Sequence, residues 1–344
     1  MPLLDIEQPG PLLEWLRRSG RIASSESPQV RVLAGGVSNR TVLVSRARGD
    51  SWVLKQALDQ LRVAAPWFCS PERIHREALG MRWLSTLAPP NAVPALVFED
   101  RENFVLAMRA VPEPHENWKT LLLEGRVDPE HVRQFGQILG SIHRRSRQVA
   151  HRLEIVFADP RFFEALRVDP FYRHAAERHP EAKPFLDALV AETRAERSAL
   201  VHGDYSPKNI LVHQGQLVLL DHEVVHWGDP MFDVGFALAH FLCKAHRAPD
   251  RREAFAGAAV LFWEHYAFAA CDCFAHATCQ ARAVRHGLAC LLARVSGKSP
   301  VDYLGPVQKE RQRRICLGMV SRPPPDVVGL ADAFLRGLGD ANEG

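Results

Sequence analysis

The stretch Leu200-Val201-His202-Gly203-Asp204-Tyr205-Ser206-Pro207-Lys208-Asn209-Ile210-Leu211-Val212 most constrains what this chain can fold into. It sets an acid, a basic side chain and an amide within six positions, directly before an apolar run that reads as a strand. A second acidic cluster, Leu219-Leu220-Asp221-His222-Glu223, follows shortly after. Ile210 to His213 and Gln216 to Leu220 are β-favouring runs, and Gln214-Gly215 between them reads as a two-residue hairpin turn. Closing that hairpin returns Asp221 beside Asn209. The fold then holds Asp204, a base or positioning acid, next to two oxygen ligands for a hard cation, Asn209 and Asp221.

Oxygen-only ligands, few in number, suit magnesium delivered on a substrate phosphate better than a metal held by protein alone. Phosphoryl transfer uses that arrangement, with metal on the phosphate oxygens and a carboxylate on the attacking hydroxyl. The protein-kinase catalytic loop runs His-Arg-Asp, four residues, then Asn. Here Gly203 takes the place of the Arg, the acid-to-Asn spacing is kept, and Gly228-Asp229-Pro230 lies downstream. His202-Gly203-Asp204, Asn209, Asp221 with Glu223, and Gly228-Asp229-Pro230 together resemble the aminoglycoside phosphotransferase family, which also holds choline, homoserine and methylthioribose kinases. The resemblance implies an α+β, bilobal protein-kinase-like fold, with ATP and Mg2+ as cofactors. A small antiparallel sheet lobe with one helix (1–108) would bind nucleotide. A hinge (109–112) would lead to a larger, mainly helical lobe (113–344) carrying the catalytic loop, the hairpin and the acceptor site.

The N-terminal third fits that plan. Leu12 to Arg18 is a short amphipathic helix, and Gln29 to Leu33, Thr41 to Ser45 and Trp52 to Leu54 read as three strands. The loop Ala34-Gly35-Gly36-Val37-Ser38-Asn39-Arg40 is either an ordinary hairpin tip or a phosphate cradle, since glycine lets backbone N–H groups approach closely. Gly35, Gly36 and Ser38 are its candidates, although it departs from the protein-kinase glycine pattern. Lys55 ends the third strand. In the helix Pro71 to Leu87, Ile74, Ala78, Met81 and Leu84 form an apolar stripe, and Glu77 falls inside it, about −60° from Ile74 at ~100° per residue. A carboxylate on a buried face needs a partner. Lys55 is the candidate, and it would in turn reach the α- and β-phosphates. Glu72 suits the helix dipole. Ala95 to Phe98 and Phe104 to Met108 form a further hairpin, and Arg109-Ala110-Val111-Pro112 leaves it without periodicity. By resemblance this is the hinge, where backbone groups at Met108 and Ala110 meet adenine.

Helices follow at Pro129 to Arg144, Phe162 to Arg167 and Ala182 to Arg197. Asp229 before Pro230 reads as a helix N-cap with proline at the first helical position. Asp233 by resemblance braces the catalytic loop, and His202 is expected to be a packed, hydrogen-bonded histidine. Helices from Phe232 to His246, Arg251 to Ala270 and Thr278 to Val295 complete the lobe. Seven cysteines in a chain of 344 residues favour free thiols over a disulfide framework. Cys271, Cys273, His276 and Cys279 raise a metal question. On one continuous helix, however, Cys271 and Cys273 would lie about 200° apart and not chelate one ion.

Two exclusions come from composition. A net charge of +3 is too small to argue for nucleic acid. Ala254 to Ala270 is interrupted by Glu264 and His265, and falls short of the ~20 apolar residues of a membrane span. With no basic and apolar leader at the N-terminus, a cytoplasmic location is expected. The expected partner is a small hydroxylated acceptor, not nucleic acid or membrane, with the chain a monomer or homodimer.

In the mechanism these residues imply, Asp204 takes the acceptor proton as the γ-phosphoryl moves, while Asn209 and Asp221 hold magnesium. Glu223, two residues on in an extended segment, points with Asp221. By resemblance to methylthioribose-kinase-like members it binds a second metal or its water. Lys208 sits four residues after the acid, not two as in protein kinases, and reaching the γ-phosphate or facing solvent are both open. Tyr205 and Trp227 are placed to touch a small ring. From Val234 to Val320 there are twelve Lys and Arg against six Asp and Glu, a net of +6. That balance favours a neutral or anionic, sugar-like acceptor over a polycationic aminoglycoside. Three readings stand: a kinase of a small metabolite, an aminoglycoside-inactivating kinase, and a catalytically silent nucleotide-binding module.

Overall fold

A computed structural model describes residues 4–33, 36–47, 49–63 and 66–339. Strands β1 (Gln29–Val32), β2 (Asn39–Ser45), β3 (Trp52–Ala57), β4 (Leu96–Asp100) and β5 (Val105–Arg109) form one antiparallel sheet in the order β1-β2-β3-β5-β4. Side chains alternate between its faces. Val42, Val44, Leu54, Val105 and Ala107 meet Leu12, Trp15 and Leu16 of the Pro9–Arg18 helix on one side. Leu106 and Met108 meet Ile74, Ala78 and Met81 of the Arg73–Leu87 helix on the other. Each fully buried aliphatic side chain contributes roughly 1.5–3 kcal/mol, so both helices are held by burial more than by propensity. β3 is central and runs on to Ala57. Lys55 therefore does not end a strand, as its sequence context implied, but sits between Thr41 of β2 and Leu106 of β5.

Beyond Arg109 the chain is mainly helical. It carries the short strands β6 (Glu116–Asn117), β7 (Ala199–Val201), β8 (Ile210–His213), β9 (Gln216–Leu219) and β10 (His226–Gly228). β6, β8 and β9 form one small sheet, and β7 pairs with β10. Gln214, with φ of 49°, and Gly215, with φ of 73°, turn β8 into β9, the left-handed pair that a two-residue hairpin needs. Long helices at Pro129–Gln148, Pro230–Arg247, Arg252–Ala270 and Ala277–Ser296 enclose the main core. Asp229 caps the second of these through Met231 N–H, with Pro230 at the first position, a cap worth about 1 kcal/mol. The chain thus has the expected bilobal α+β architecture. Among the described residues no helix is long and apolar enough to cross a membrane.

The Pro129–Gln148 and Arg252–Ala270 helices cross backbone to backbone. A Cβ on Gly140 would lie 2.5 Å from the Tyr266 carbonyl oxygen and 2.9 Å from Ala270 N. Only a shift of one helix would admit a side chain. Gly140→Val is therefore expected to lower stability by about 3 kcal/mol, the upper end of overpacking costs. An unchanged urea midpoint would show that the two helices part freely.

Two further expectations change. The helix expected over Phe162 to Arg167 gives way after Phe163 to wide π-type turns across Glu164–Arg173, with Pro170 inside them; such turns re-aim side chains and occur often at functional sites. The Arg252–Ala270 helix stops before Cys271, whose φ is 53°. The angular argument that separated Cys271 from Cys273 therefore does not apply. All seven cysteines are free.

Candidate active site

The catalytic loop leaves β7 at His202. Gly203 has φ of 77°, and a Cβ there would meet Val224 Cγ2 at 2.9 Å, which excludes the arginine that protein kinases carry at this place. Asp233, fully buried at the start of the Pro230–Arg247 helix, accepts the N–H of His202 at 2.6 Å and of Gly203 at 2.7 Å. His143 stands 3.3 Å from the same carboxylate, with Tyr266 Oη 3.0 Å from its other ring nitrogen. The loop is thus braced by a buried Tyr266–His143–Asp233 chain. His202 is itself buried, with Nδ1 receiving Asp204 N–H and Nε2 lying 3.2 Å from His222 Nδ1.

The brace aims Asp204 into a cleft of about 910 Å³ between the sheet and the helical region. Its carboxylate is buried and held on both oxygens. Arg167 Nη2 lies 2.9 Å from Oδ1, while Lys208 Nζ and Asn209 Nδ2 each lie 2.8 Å from Oδ2. Burial alone would raise this acid; Arg167 and Lys208 outweigh it and hold the carboxyl below its ordinary value. Lys208, left open between phosphate and solvent by its spacing, thus rests on Asp204 with its side chain half exposed. Arg167 was not found from the sequence. It also donates Nε–H to the Gly203 carbonyl at 2.7 Å, a contact made possible by the wide turns around it.

The hairpin does bring Asp221 back to the loop: Leu220 N–H donates to the Asn209 carbonyl at 2.8 Å. Asp221 is not in an extended segment, however. β9 ends at Leu219 and Asp221 has φ of 68°, so the alternation used to aim Glu223 does not hold. Lys55 Nζ donates to Glu77 Oε1 at 2.6 Å and to Asp221 Oδ1 at 2.8 Å, joining the sheet, the Arg73–Leu87 helix and the hairpin in one bridge. Burial pushes Glu77 up against the pull of Lys55. Asp221, although partly desolvated, is held well below the ordinary carboxylate range by Lys55 and Lys208.

Glu223 approaches the same point from another direction. Its Oε2 accepts Arg73 Nε–H at 3.1 Å and Asn39 Nδ2–H at 3.2 Å. Arg73, fully buried, also donates to the carbonyls of Cys69, Ser70 and Ser38, tying the loop before β2 to the hairpin. It was missed, yet the sequence carried a signal: Arg73 is four residues before Glu77 on one helix face. Glu72 pairs with Arg161 at 2.8 Å in addition to opening the helix. Carboxylate oxygens of Glu77, Asp221 and Glu223 lie within 4.8 Å of one another. Three negative charges face the two cations Lys55 and Arg73, and Glu77 Oε2 is buried without a partner. This oxygen-only, net-negative donor set fits a hard divalent cation, and Asn209, its amide nitrogen occupied by Asp204, has its oxygen left as a further ligand.

Of the remaining candidates, Gly36, Ser38, Met108 and Ala110 line the cleft, and Gly35 lies outside the described residues. Ala110 N–H is bonded to the Ser51 carbonyl at 2.8 Å, which leaves Ala110 only its carbonyl for a ligand. Tyr205 and Trp227 do not reach the cleft. Tyr205 turns away to stack on Phe135 at 4.2 Å and donates to its carbonyl at 2.6 Å. Trp227 is buried and donates to the Arg197 carbonyl.

Comparison with known proteins agrees with this geometry. The phosphotransferase enzyme family profile matches residues 29–270. The methylthioribose kinase of Yersinia pseudotuberculosis serotype O:3 (strain YPIII) is 26% identical over 278 residues, covering 71% of this chain and 67% of that protein. Among solved structures, an amicoumacin kinase superposes with a TM-score of 0.57 at 14% identity, covering 90% of this chain and 94% of that one. A macrolide 2′-phosphotransferase from Brachybacterium faecium superposes with a TM-score of 0.52 at 18% identity, over 91% of this chain and 98% of that one. With the family profile spanning most of the chain, and a braced acid facing a lysine–glutamate bridge across one cleft, this protein belongs to the phosphotransferase enzyme family and is a small-molecule kinase.

Proposed function

We propose that the chain moves the γ-phosphoryl group of ATP, bound with Mg2+, to a hydroxyl of a small neutral or anionic, sugar-like acceptor. The observation that carries this reading is the bridge from Lys55 to both Glu77 and Asp221, in the same cleft as Asp204. Residues 1–108 bind nucleotide, 109–112 form the hinge and 113–344 provide catalysis and the acceptor wall. Adenine meets the Ala110 carbonyl and the N–H of Val111, which has no partner among the described residues. Gly36 and Ser38, which line the cleft, offer backbone N–H groups to the phosphates, and Lys55, oriented by Glu77, donates to them.

Magnesium, when bound, neutralises charge on the phosphate oxygens, and Asn209 and Asp221 are the residues that hold it. Glu223 presents Oε1, which carries neither of its bonds to Arg73 and Asn39, to a second metal or a metal-bound water. Asp204 accepts the hydrogen bond of the acceptor hydroxyl and takes its proton. Arg167 keeps Asp204 ionised and oriented. Seven free thiols fit a reducing compartment, and we place the enzyme in the cytoplasm.

The acceptor side of the cleft is lined by Lys119, Arg167, Lys208 and Arg294, against Asp204 and Asp302. A polycationic aminoglycoside would meet net repulsion there. The test is transfer from ATP to a panel of sugars, methylthioribose, choline, homoserine and aminoglycosides, read by mass spectrometry with Asp204→Asn as blank. A phosphorylated neutral or acidic acceptor, absent from the blank, is expected. Product on aminoglycosides alone would overturn the acceptor class, and equal product in the blank would overturn the role of Asp204.

A further inference from the structure

The wall of the cleft beyond Asp204 is built from groups that the transfer step does not use. Two guanidinium groups approach Phe171, with Arg167 Cζ and Arg294 Cζ each 5.7 Å from its ring centroid. Arg167 belongs to Asp204. Arg294, on the Ala277–Ser296 helix, lines the cleft with no carboxylate partner among the described residues; its recorded contact is the Ser299 carbonyl, and its Nε is buried without an acceptor. His240, on the Pro230–Arg247 helix, lines the same wall. It is 5% exposed, stands edge-on to Phe236, and its Nε2 has no partner.

One turn along that helix, Lys244 is buried, with the His240 carbonyl 3.2 Å from Nζ as its hydrogen-bond partner. Lys119 and Lys244 each lie 5.7 Å from the Tyr303 ring centroid; among the described residues Asp302 pairs with Lys119 at 3.2 Å, and neither Arg294 nor Lys244 makes an ion pair. Burial, with Lys119 and Arg294 close by, pulls Lys244 down to about 7, and burial with four neighbouring cations keeps His240 neutral. Uncompensated buried cations are costly unless an anion completes them.

We propose that the acceptor is an acid as well as an alcohol: it carries a carboxylate or phosphate group that Arg294 and His240 receive in the cleft that also holds Asp204. This deepens the proposed transfer reaction and rests on it. Arg294 supplies the charge-assisted bonds and neutral His240 supplies a ring N–H, while a bound anion would favour the charged form of Lys244 behind them.

The test uses acceptors of one carbon skeleton in which a neutral end is replaced by an acid: glycerol, glycerate and glycerol phosphate, then ribose, ribonate and ribose 5-phosphate. Wild type is expected to transfer phosphate to the acidic members at least about tenfold better than to their neutral counterparts, as hydrogen bonds to a charged group require. Arg294→Gln and His240→Gln should narrow that ratio without changing the affinity for MgATP, and Arg294→Lys should restore part of it. The carboxylate and phosphate arms identify which anion the wall prefers. An equal rate on neutral and acidic members, or an unchanged ratio in both variants, would overturn the proposal. Should no member be phosphorylated, calorimetry with glycerate and inorganic phosphate on the AMP-PNP-loaded protein decides it. Binding about tenfold weaker in Arg294→Gln supports the anion site even where the transfer reading fails, and binding that is absent or unaffected by the substitution overturns it.

Discussion

Asp204→Asn is expected to leave MgATP binding nearly intact and to lower kcat by about a hundred- to ten-thousand-fold, the range over which a positioned general base contributes. The substitution is nearly isosteric, and Lys208 and Asn209 keep an oxygen acceptor to approach. What disappears is the negative charge that draws the acceptor proton. Arg167 gives this prediction a pH dimension. The ionised form of Asp204 is the active one, and Arg167 and Lys208 hold its carboxyl below the ordinary value. Activity should therefore persist as pH falls through the usual carboxylate range and decline only below it. Arg167→Met removes one cation, raises the Asp204 pKa and moves that acid limb upward. A kcat/KM profile with the same acid limb in wild type and Arg167→Met would show that Arg167 only packs. Comparable turnover in Asp204→Asn would remove Asp204 from the chemistry.

The parts of this site that were legible share one property: they depend on local geometry or on an unavoidable electrostatic demand. The β8–β9 hairpin follows from two short β-favouring runs and a turn that tolerates left-handed φ, so the return of Asp221 toward Asn209 was readable before any coordinates. Glu77 sits in an apolar helical stripe. A carboxylate there requires a cation, and Lys55 meets it at 2.6 Å. Arg73 obeys the same logic and was readable in principle, being one helical turn from Glu77.

The missed features depend on direction rather than proximity. Tyr205 and Trp227 are close to the loop along the chain, but each turns into the core to satisfy its polar atom, Tyr205 on the Phe135 carbonyl and Trp227 on that of Arg197. Asp221 left the strand early at a positive φ, which invalidated the alternation invoked for Glu223. Arg167 reaches a loop 36 positions away through π-type turns, and no short-range period announces such turns. The acceptor wall was visible only as a charge excess over Val234 to Val320. Its resolution into Arg294, His240 and Lys244 needed two helices distant in sequence to converge.

The largest structural effect should come from Lys55→Met. Lys55 bonds two carboxylates at once, Glu77 fully buried and Asp221 21% exposed, with its own side chain only 11% exposed. Methionine retains the length of the stem and removes the charge, so Glu77 and Asp221 lose their shared cation, and Glu77 remains in a place where water cannot replace it. Removing one partner of a buried pair typically costs about 3–5 kcal/mol. Part of that loss should be recovered by Glu77→Gln in the same chain, which eliminates the stranded charge on the helix, whereas Lys55→Met alone should be further stabilised by acid as Glu77 takes up a proton. Both variants lack the amine proposed to bind the nucleotide phosphates and should show little turnover, so stability in urea at neutral and mildly acidic pH is the measurement that separates them. A Lys55→Met protein as stable as wild type, with no gain on adding Glu77→Gln, would mean that the bridge contributes nothing to the fold and exists only to present the amine to the nucleotide.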